Sequence, residues 1–261
     1  MTLEQTIPSW ERSQFNSGGE DAVLFFAVLG KFQQPFEMVG PYYRTETVPA
    51  ELTIALHERE SDPATMDSFL QGYMGKHLQR ENPILFEQVK NAPECITMLG
   101  TFKDPSNLNY LRDTVGLITA LLDGGGIAVY DPWRISWWNK EEWNDQIFIP
   151  NPPVARNHAI ILLSQEEDNP DKLWIHSRGM RKFGRPDLSV RNVPPGYSEA
   201  VSQLCNRFID NLAAGQIVPE GQLVRMGDLP PVLQCHHKGS LQDPDFNNFY
   251  IEMTFPGEGT F

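Results

Sequence analysis

The sequence predicts an α+β fold, with a mixed and largely antiparallel sheet against which amphipathic helices pack. Before about residue 150, apolar segments typical of buried strands alternate with amphipathic helical segments, whereas the later half is richer in short strand-like segments. The 261 residues are 40% hydrophobic and 21% charged, which is a globular composition. A chain of this length can bury a sizeable core without disulfides or metals.

Residues 1–20 are polar and rich in turn residues, which predicts an irregular N-terminal arm. We expect residues 21–261 to form a single domain. The alternative is a pair of subdomains divided near 150–156, where Asn151 and two following prolines make the best linker candidate.

The first elements are a strand and a helix. Residues 22–29 are apolar on both faces and end at Gly30, a pattern typical of a buried strand. Asp62 and Pro63 open a helix, because aspartate is a good N-cap and proline suits the first helical position. One apolar stripe continues this helix and consists of Met66, Phe69, Leu70, Tyr73 and Met74. A strand is expected next, at 96–102.

The strongest helical pattern follows a second such pair, Asp104 and Pro105. Three glycines at 124–126 end this helix, and residues 127–130 form a buried strand. Apolar residues along the helix recur at spacings of three and four, namely Leu108, Leu111, Val115, Ile118 and Leu122.

The later half predicts a hairpin of two strands, 158–163 and 173–176, joined by an acidic turn. A strand at 187–193 and a well-patterned helix at 197–212 follow. Three further short strands are expected at 222–226, 232–237 and 249–255.

The charge balance is strongly acidic, with 34 Asp and Glu against 21 Lys and Arg and a net charge of −13. This argues against nucleic acid and anionic membranes as partners, because both are bound through basic surfaces. It suits a cytoplasmic protein or one with a basic protein partner. Three cysteines without a C-x-x-C motif favour a reducing compartment, and the N-terminus does not resemble a signal peptide.

The densest group of charged residues is basic and lies at residues 176–187. Arg178, Arg181, Lys182 and Arg185 could form an anion-binding cradle with the backbone of two glycines. The alternative, which we favour, is that these cations pair with the protein's own surplus carboxylates.

This segment also carries a resemblance. Residues 177–180, S-R-G-M, and 182–187, K-F-G-R-P-D, resemble a conserved segment of bacterial proteins that are known only as a domain of unknown function. Residues 125–132 are similar to the same group, and the likeness covers roughly 105–195. The resemblance implies an α+β domain and a bacterial source, and it transfers no catalytic residue.

Two other groups are candidates for function. Cys235 and His237 share a strand face, but a zinc site would need Asp243 or Asp245 to fold back, so we expect no metal. Four tryptophans form either a protein-interaction surface or a small satellite core: Trp133, Trp137, Trp138 and Trp143. The last two flank Asn139 and Glu142, which make the capping box of a short helix extending to about Ile147.

Taken together, these patterns favour a non-catalytic binding or protein-interaction module without a cofactor, since nucleotide-binding motifs and a nucleophile elbow are absent from the sequence. The alternative is an enzyme acting on an anionic small molecule, with His176 as acid and base beside Arg178, Arg181 and Arg185. One deep cleft lined by His176 and two of these arginines would favour the enzyme.

Overall fold

A computed structural model describes residues 6–33, 38–227, 229 and 233–255. The chain forms two compact units. The first is built from the described residues within Met1–Glu11, Val23–Lys103 and Asn107–Val154. The second is built from those within Arg12–Ala22, Asp104–Ser106 and Ala155–Phe261.

The first unit contains a five-stranded sheet in the order β2-β3-β1-β4-β5, and β2–β3, β1–β4 and β4–β5 are antiparallel pairs. The apolar run at 22–29 forms a strand in which every residue except Phe25 is buried, as its sequence predicts. The strands are β1 (Ala22–Gly30), β2 (Leu52–Glu58), β3 (Glu94–Phe102), β4 (Gly126–Asp131) and β5 (Ser136–Asn139).

Helices cover both faces of this sheet. Ala27 and Leu29 of β1 pack in one core cluster with Met66, Leu78 and Val89, which come from three successive helices. Phe26 points to the other face, where its ring lies 5.9 Å from Trp143. The helices of this unit are α1 (Pro63–Ser68), α2 (Gly72–Glu81), α3 (Pro83–Lys90), α4 (Asn109–Asp123) and α5 (Lys140–Trp143), with a π-helix at Asn144–Phe148.

Two helix predictions need correction. Asp62 caps α1 as predicted, but the expected stripe from Met66 to Met74 does not lie on one helix. Helix α1 ends at Ser68, Gly72 takes a left-handed φ of +67°, and Tyr73 is 65% exposed. Likewise, Asp104 does not open the strongest helix. Helix α4 begins four residues beyond Pro105, at Asn109.

The second unit contains another five-stranded sheet, in the order β6-β7-β8-β10-β9. The β8–β10 pair is parallel and the other pairs are antiparallel, including the predicted β6–β7 hairpin. The elements are α6 (Ala155–His158), β6 (Ile160–Gln165), β7 (Leu173–Arg178), β8 (Asp187–Val193), α7 (Ser198–Ala213), β9 (His236–Gly239) and β10 (Phe249–Thr254).

The fold class is confirmed as α+β, although the strands form two mostly antiparallel sheets rather than one. The strand predicted at 222–226 is wrong, since Leu223 makes only an isolated bridge with Gln234. The strand predicted at 232–237 begins later, at His236. Residue 232, the first of the predicted range, lies outside the described residues.

Alternation along the strands gives the second sheet one apolar and one polar face. Ile175, Val190 and Ile251 are fully buried on the face that α7 covers with residues such as Leu204 and Ile209. The residues that alternate with these along the strands lie on the opposite face. Their side chains are mostly polar or aromatic: Trp174, His176, Arg178, Ser189, Arg191 and Glu252.

Candidate functional site

The polar face of the second sheet is organised around Trp174. Its indole stacks on the imidazole of His176 with ring centroids 3.9 Å apart, and the guanidinium of Arg191 lies 3.8 Å from the centre of the indole. The indole N–H donates to the hydroxyl of Ser189 at 2.9 Å. Trp174 is therefore held by a stacked neighbour, a cation and a hydrogen bond.

Beside this stack opens a cleft of about 710 Å³, a volume within the range of small-ligand sites. Trp174 and Arg191 form part of its wall. Five carboxylates also line it, and they come from the β6–β7 turn, the loop before β10, and β10 itself: Glu166, Glu167, Asp168, Asp245 and Glu252.

The cleft carries a surplus of negative charge. Glu166 is neutralised by Arg191, whose Nη1 lies 3.0 Å from its carboxylate, and it also accepts the backbone N–H of Asn192 at 2.8 Å. Glu252 pairs with Lys238. In the part of the chain that the structure describes, Glu167 and Asp168 make no hydrogen bond or ion pair, so their charges face the cleft uncompensated.

His176 lies behind the cleft rather than in its wall. It is only 7% exposed, covered by Trp174 and by Phe246, whose ring centroid is 5.6 Å away. Burial, followed by the charges of Arg178 and Arg191, lowers the pKa of His176 to about 4. The imidazole is therefore neutral near pH 7, and its Nδ1 makes no hydrogen bond to any described residue.

The four basic residues of segment 176–187 do not converge on one cradle. Arg178 donates to the backbone carbonyl of Asp245, and Arg181 donates to the carbonyls of Leu241 and Asn247. Arg185 reaches different segments of the chain, including Asp104, and the side chain of Lys182 is fully buried. Burial lowers the pKa of the Arg178 and Arg181 guanidiniums.

The same segment is shaped by two glycines and a buried aspartate. Gly179 has φ +120° and Gly184 has φ +59°, conformations that side chains disfavour. Asp187 accepts hydrogen bonds from the Ser177 hydroxyl at 2.9 Å and the Asn248 amide at 2.8 Å. Burial raises the pKa of Asp187 to about 6. Sequence reasoning missed Asp187 as a structural centre, because its partners are remote in sequence.

The residues considered for zinc have other roles. The His237 Nε2–H donates to the backbone carbonyl of Val218 at 2.8 Å. The Asp243 carboxylate accepts the backbone N–H groups of Asp245 and Phe246. Cys235 is buried, and burial raises the pKa of its thiol to about 11. Among the described residues, no group of three potential metal ligands converges.

The four tryptophans pack within the first unit. Trp138 and Trp143 are buried, and the Trp143 indole donates to the Thr119 hydroxyl at 3.0 Å. Trp137 and Trp133 are partly buried against aromatic rings. The ring centroids of Trp137 and Tyr130 lie 4.7 Å apart, and those of Trp133 and Phe25 lie 6.5 Å apart. This packing is what the satellite-core alternative requires. The capping box of Asn139 and Glu142 is present as predicted.

No protein-family model matches the sequence, and no curated protein or solved structure matches it. The resemblance at 105–195 therefore rests on its motifs alone. Over the ranges that the structure describes, no helix combines the length and the apolar character needed to cross a membrane.

Proposed function

We propose that this chain is a non-catalytic binding protein whose acidic cleft beside Trp174 holds a basic segment of a protein partner. The observation that carries the proposal is the unbalanced charge of the cleft, where Glu167 and Asp168 have no cationic partner among the described residues. Carboxylates gathered in a concave wall attract lysine and arginine side chains and raise the rate of encounter.

The geometry of the cleft also suits an extended peptide with cationic side chains. Its wall combines the free carboxylates with Trp174, which Arg191 and His176 hold in place, so the wall needs little ordering when a ligand enters. We also propose a cytoplasmic location. Its support is the state of Cys95, Cys205 and Cys235, which are all free and buried.

An enzyme acting on an anionic small molecule is less well supported. That function needs His176 and at least two of Arg178, Arg181 and Arg185 in one cleft, and none of the four lies in the wall of this one. The uncompensated carboxylates of Glu167 and Asp168 in its wall would repel an anionic substrate.

The test is the binding of a dye-labelled oligolysine peptide, measured by fluorescence anisotropy. We expect saturable binding that weakens as salt is added, because salt screens exposed charges. The double variant Glu167→Gln with Asp168→Asn should weaken binding about tenfold, the equivalent of about 1.4 kcal/mol.

The matched control removes two charges elsewhere. Glu60 and Asp145 are exposed residues of the first unit, and the double variant Glu60→Gln with Asp145→Asn changes the net charge by the same amount. We expect this control to bind as the parent does. Equal weakening in both double variants would assign the attraction to net charge alone, and would overturn the proposal, as would the absence of peptide binding.

A further inference from the structure

We infer that a pocket beside helix α4 binds a planar aromatic heterocycle that carries an amino group next to a ring nitrogen, as adenine does. This pocket lies in the first unit and is independent of the acidic cleft, which belongs to the second. Its volume is about 370 Å³, within the range of small-ligand sites. Residues of α4, of the segment from Lys140 to Phe148, and of the turn at Tyr42 line it, and we call it the α4 pocket.

The side-chain amide of Asn144 is a free polar group in the α4 pocket. Asn144 is half-buried, and its amide makes no hydrogen bond to any described residue. The buried Thr119 hydroxyl, by contrast, is engaged, because it donates to the Val115 carbonyl at 2.9 Å and accepts the Trp143 indole N–H at 3.0 Å. A planar amide offers a donor beside an acceptor, which match a ring nitrogen and the amino group next to it.

Aromatic side chains supply the flat surfaces that such a ring needs. Phe148 lines the pocket, and the guanidinium of Arg44 lies 4.2 Å from the centre of its ring. Tyr42 also lines the pocket, and it is 75% exposed. Stacking on rings of this kind gives affinity for nitrogen heterocycles, since every such base has an aromatic face.

An irregular helix presents two of these side chains to the pocket. Asn144 and Phe148 are the first and last residues of the π-helix that continues α5. The Ile149 N–H donates to the Asn144 carbonyl at 2.8 Å, which closes the wider π turn. Such turns are rare and frequently occur at functional sites.

The turn that carries Tyr42 is also strained and fixed in place. Arg44 has a left-handed φ of +56°, a conformation that costs energy in any residue except glycine. Tyr43 ties the turn to the end of α4, because its hydroxyl donates to the Asp123 carboxylate at 3.2 Å. Backbone strain clusters at ligand sites. The strain here accompanies the presentation of a large exposed aromatic ring.

The charges at the rim of the pocket argue against a phosphate on the ligand. Lys140 is paired with Asp123 at 2.9 Å, whereas Glu141 has no ion pair among the described residues. The lining residues therefore carry a net negative charge, which repels phosphate. A free base or a nucleoside fits the pocket better than a nucleotide does.

The first experiment measures the binding of labelled adenosine and labelled purine riboside by equilibrium dialysis. Purine riboside lacks the amino group, so we expect the parent protein to bind adenosine roughly tenfold more tightly. Asn144→Leu should weaken adenosine binding much more than purine riboside binding, so that the two ligands bind about equally. The substitution breaks no hydrogen bond between the side-chain amide and the described residues, so the variant should fold as the parent does.

The second experiment tests the stacking surface with the same two ligands. Tyr42→Ala should weaken the binding of both by a similar factor, roughly tenfold, because stacking does not depend on the amino group. The matched control is Tyr73→Ala on α2, where the parent side chain is 65% exposed and lies outside the pocket. This control should bind both ligands as the parent does. A parent that binds no adenosine, an Asn144→Leu variant that keeps the preference for adenosine, or a Tyr42→Ala variant that binds like the control would overturn the proposal.

Discussion

Arg185 Nη1 and Asp104 Oδ1 lie 2.7 Å apart in the second unit, in an ion pair that joins residues 81 positions apart in the sequence. The Arg185 side chain is 1% exposed, and the Asp104 carboxylate also accepts the backbone N–H groups of Gly18 and Gly19. The rest of the guanidinium donates to the carbonyls of Asn16, Gly184, Gly215 and Gln216. The guanidinium of Arg185 therefore donates to acceptors of its own chain and connects three segments that are distant in sequence.

Replacing Arg185 with methionine removes the charge and leaves Asp104 and several carbonyls without their donor. Breaking a buried ion pair from one side costs about 3–5 kcal/mol, and we expect a loss of that size in the free energy of unfolding measured in urea. The control is Arg225→Met, because Arg225 is exposed and its replacement should change stability by about 0.5 kcal/mol or less. A loss below about 1 kcal/mol for Arg185→Met would contradict a structural role.

Helix α4 forms the centre of the first unit, since every residue from Tyr110 to Leu122 is buried. Leu111 and Ile118 are fully buried in it, so truncating either one to alanine leaves a cavity. We expect Leu111→Ala and Ile118→Ala each to cost about 2–5 kcal/mol in the free energy of unfolding. Ile84→Ala is the exposed control and should cost little. Thermal midpoints of the two core variants that match the control would show that the helix is not packed as described.

Gly179 stands where the chain leaves β7, with φ +120°. A Cβ at this position would lie 2.6 Å from the His158 carbonyl oxygen, so alanine adds both backbone strain and a clash. We expect Gly179→Ala to cost at least about 1–3 kcal/mol, measured as a lower urea midpoint. Gly196→Ala is the matched control, because no atom lies within 4 Å of a Cβ built there. Equal midpoints for the two variants would refute this account of the turn.

Local patterns were enough to predict much of the secondary structure. The apolar run of β1, the three–four spacing of α4 and the capping box at Asn139 each depend on residues close in sequence. The expected stripe from Met66 to Met74 failed because Gly72 adopts a left-handed conformation that divides it into two helices. The sequence shows that a glycine stands at this position, but it does not show which conformation that glycine takes.

The candidate site could not be predicted, since its parts come from distant segments. The cleft takes its wall from the turn at Glu166, from Arg191 of β8, and from Asp245 and Glu252 near β10. The surplus of acidic residues favoured pairing of the basic segment with carboxylates, but the sequence could not show which acceptors each arginine uses, and those of Arg185 lie at positions as remote as Asn16. The alternation of a strand places Trp174 and His176 on one face and is readable in the sequence, so it is the local signal that could have pointed to this face.

Two buried groups of the second unit give stability opposite dependences on pH. The pKa of His176 is about 4 in the folded protein and about 6.5 when unfolded, so between these values the unfolded chain binds more protons and stability falls as the pH falls. The pKa of Asp187 is about 6 when folded and about 3.8 when unfolded, so its contribution rises as the pH falls. The two effects oppose each other in the parent protein over the same range.

Replacing His176 with phenylalanine removes one of these effects and leaves the other. The aromatic ring keeps the stack on Trp174 but does not titrate, so the variant should become more stable relative to the parent as the pH falls from 7 to 4.5. The shift in the difference between their free energies of unfolding should be about 2 kcal/mol, which follows from the lowered pKa of the buried imidazole. Urea unfolding at several pH values measures it. Parallel curves for parent and variant would mean that His176 is protonated in the folded protein as readily as in the unfolded chain.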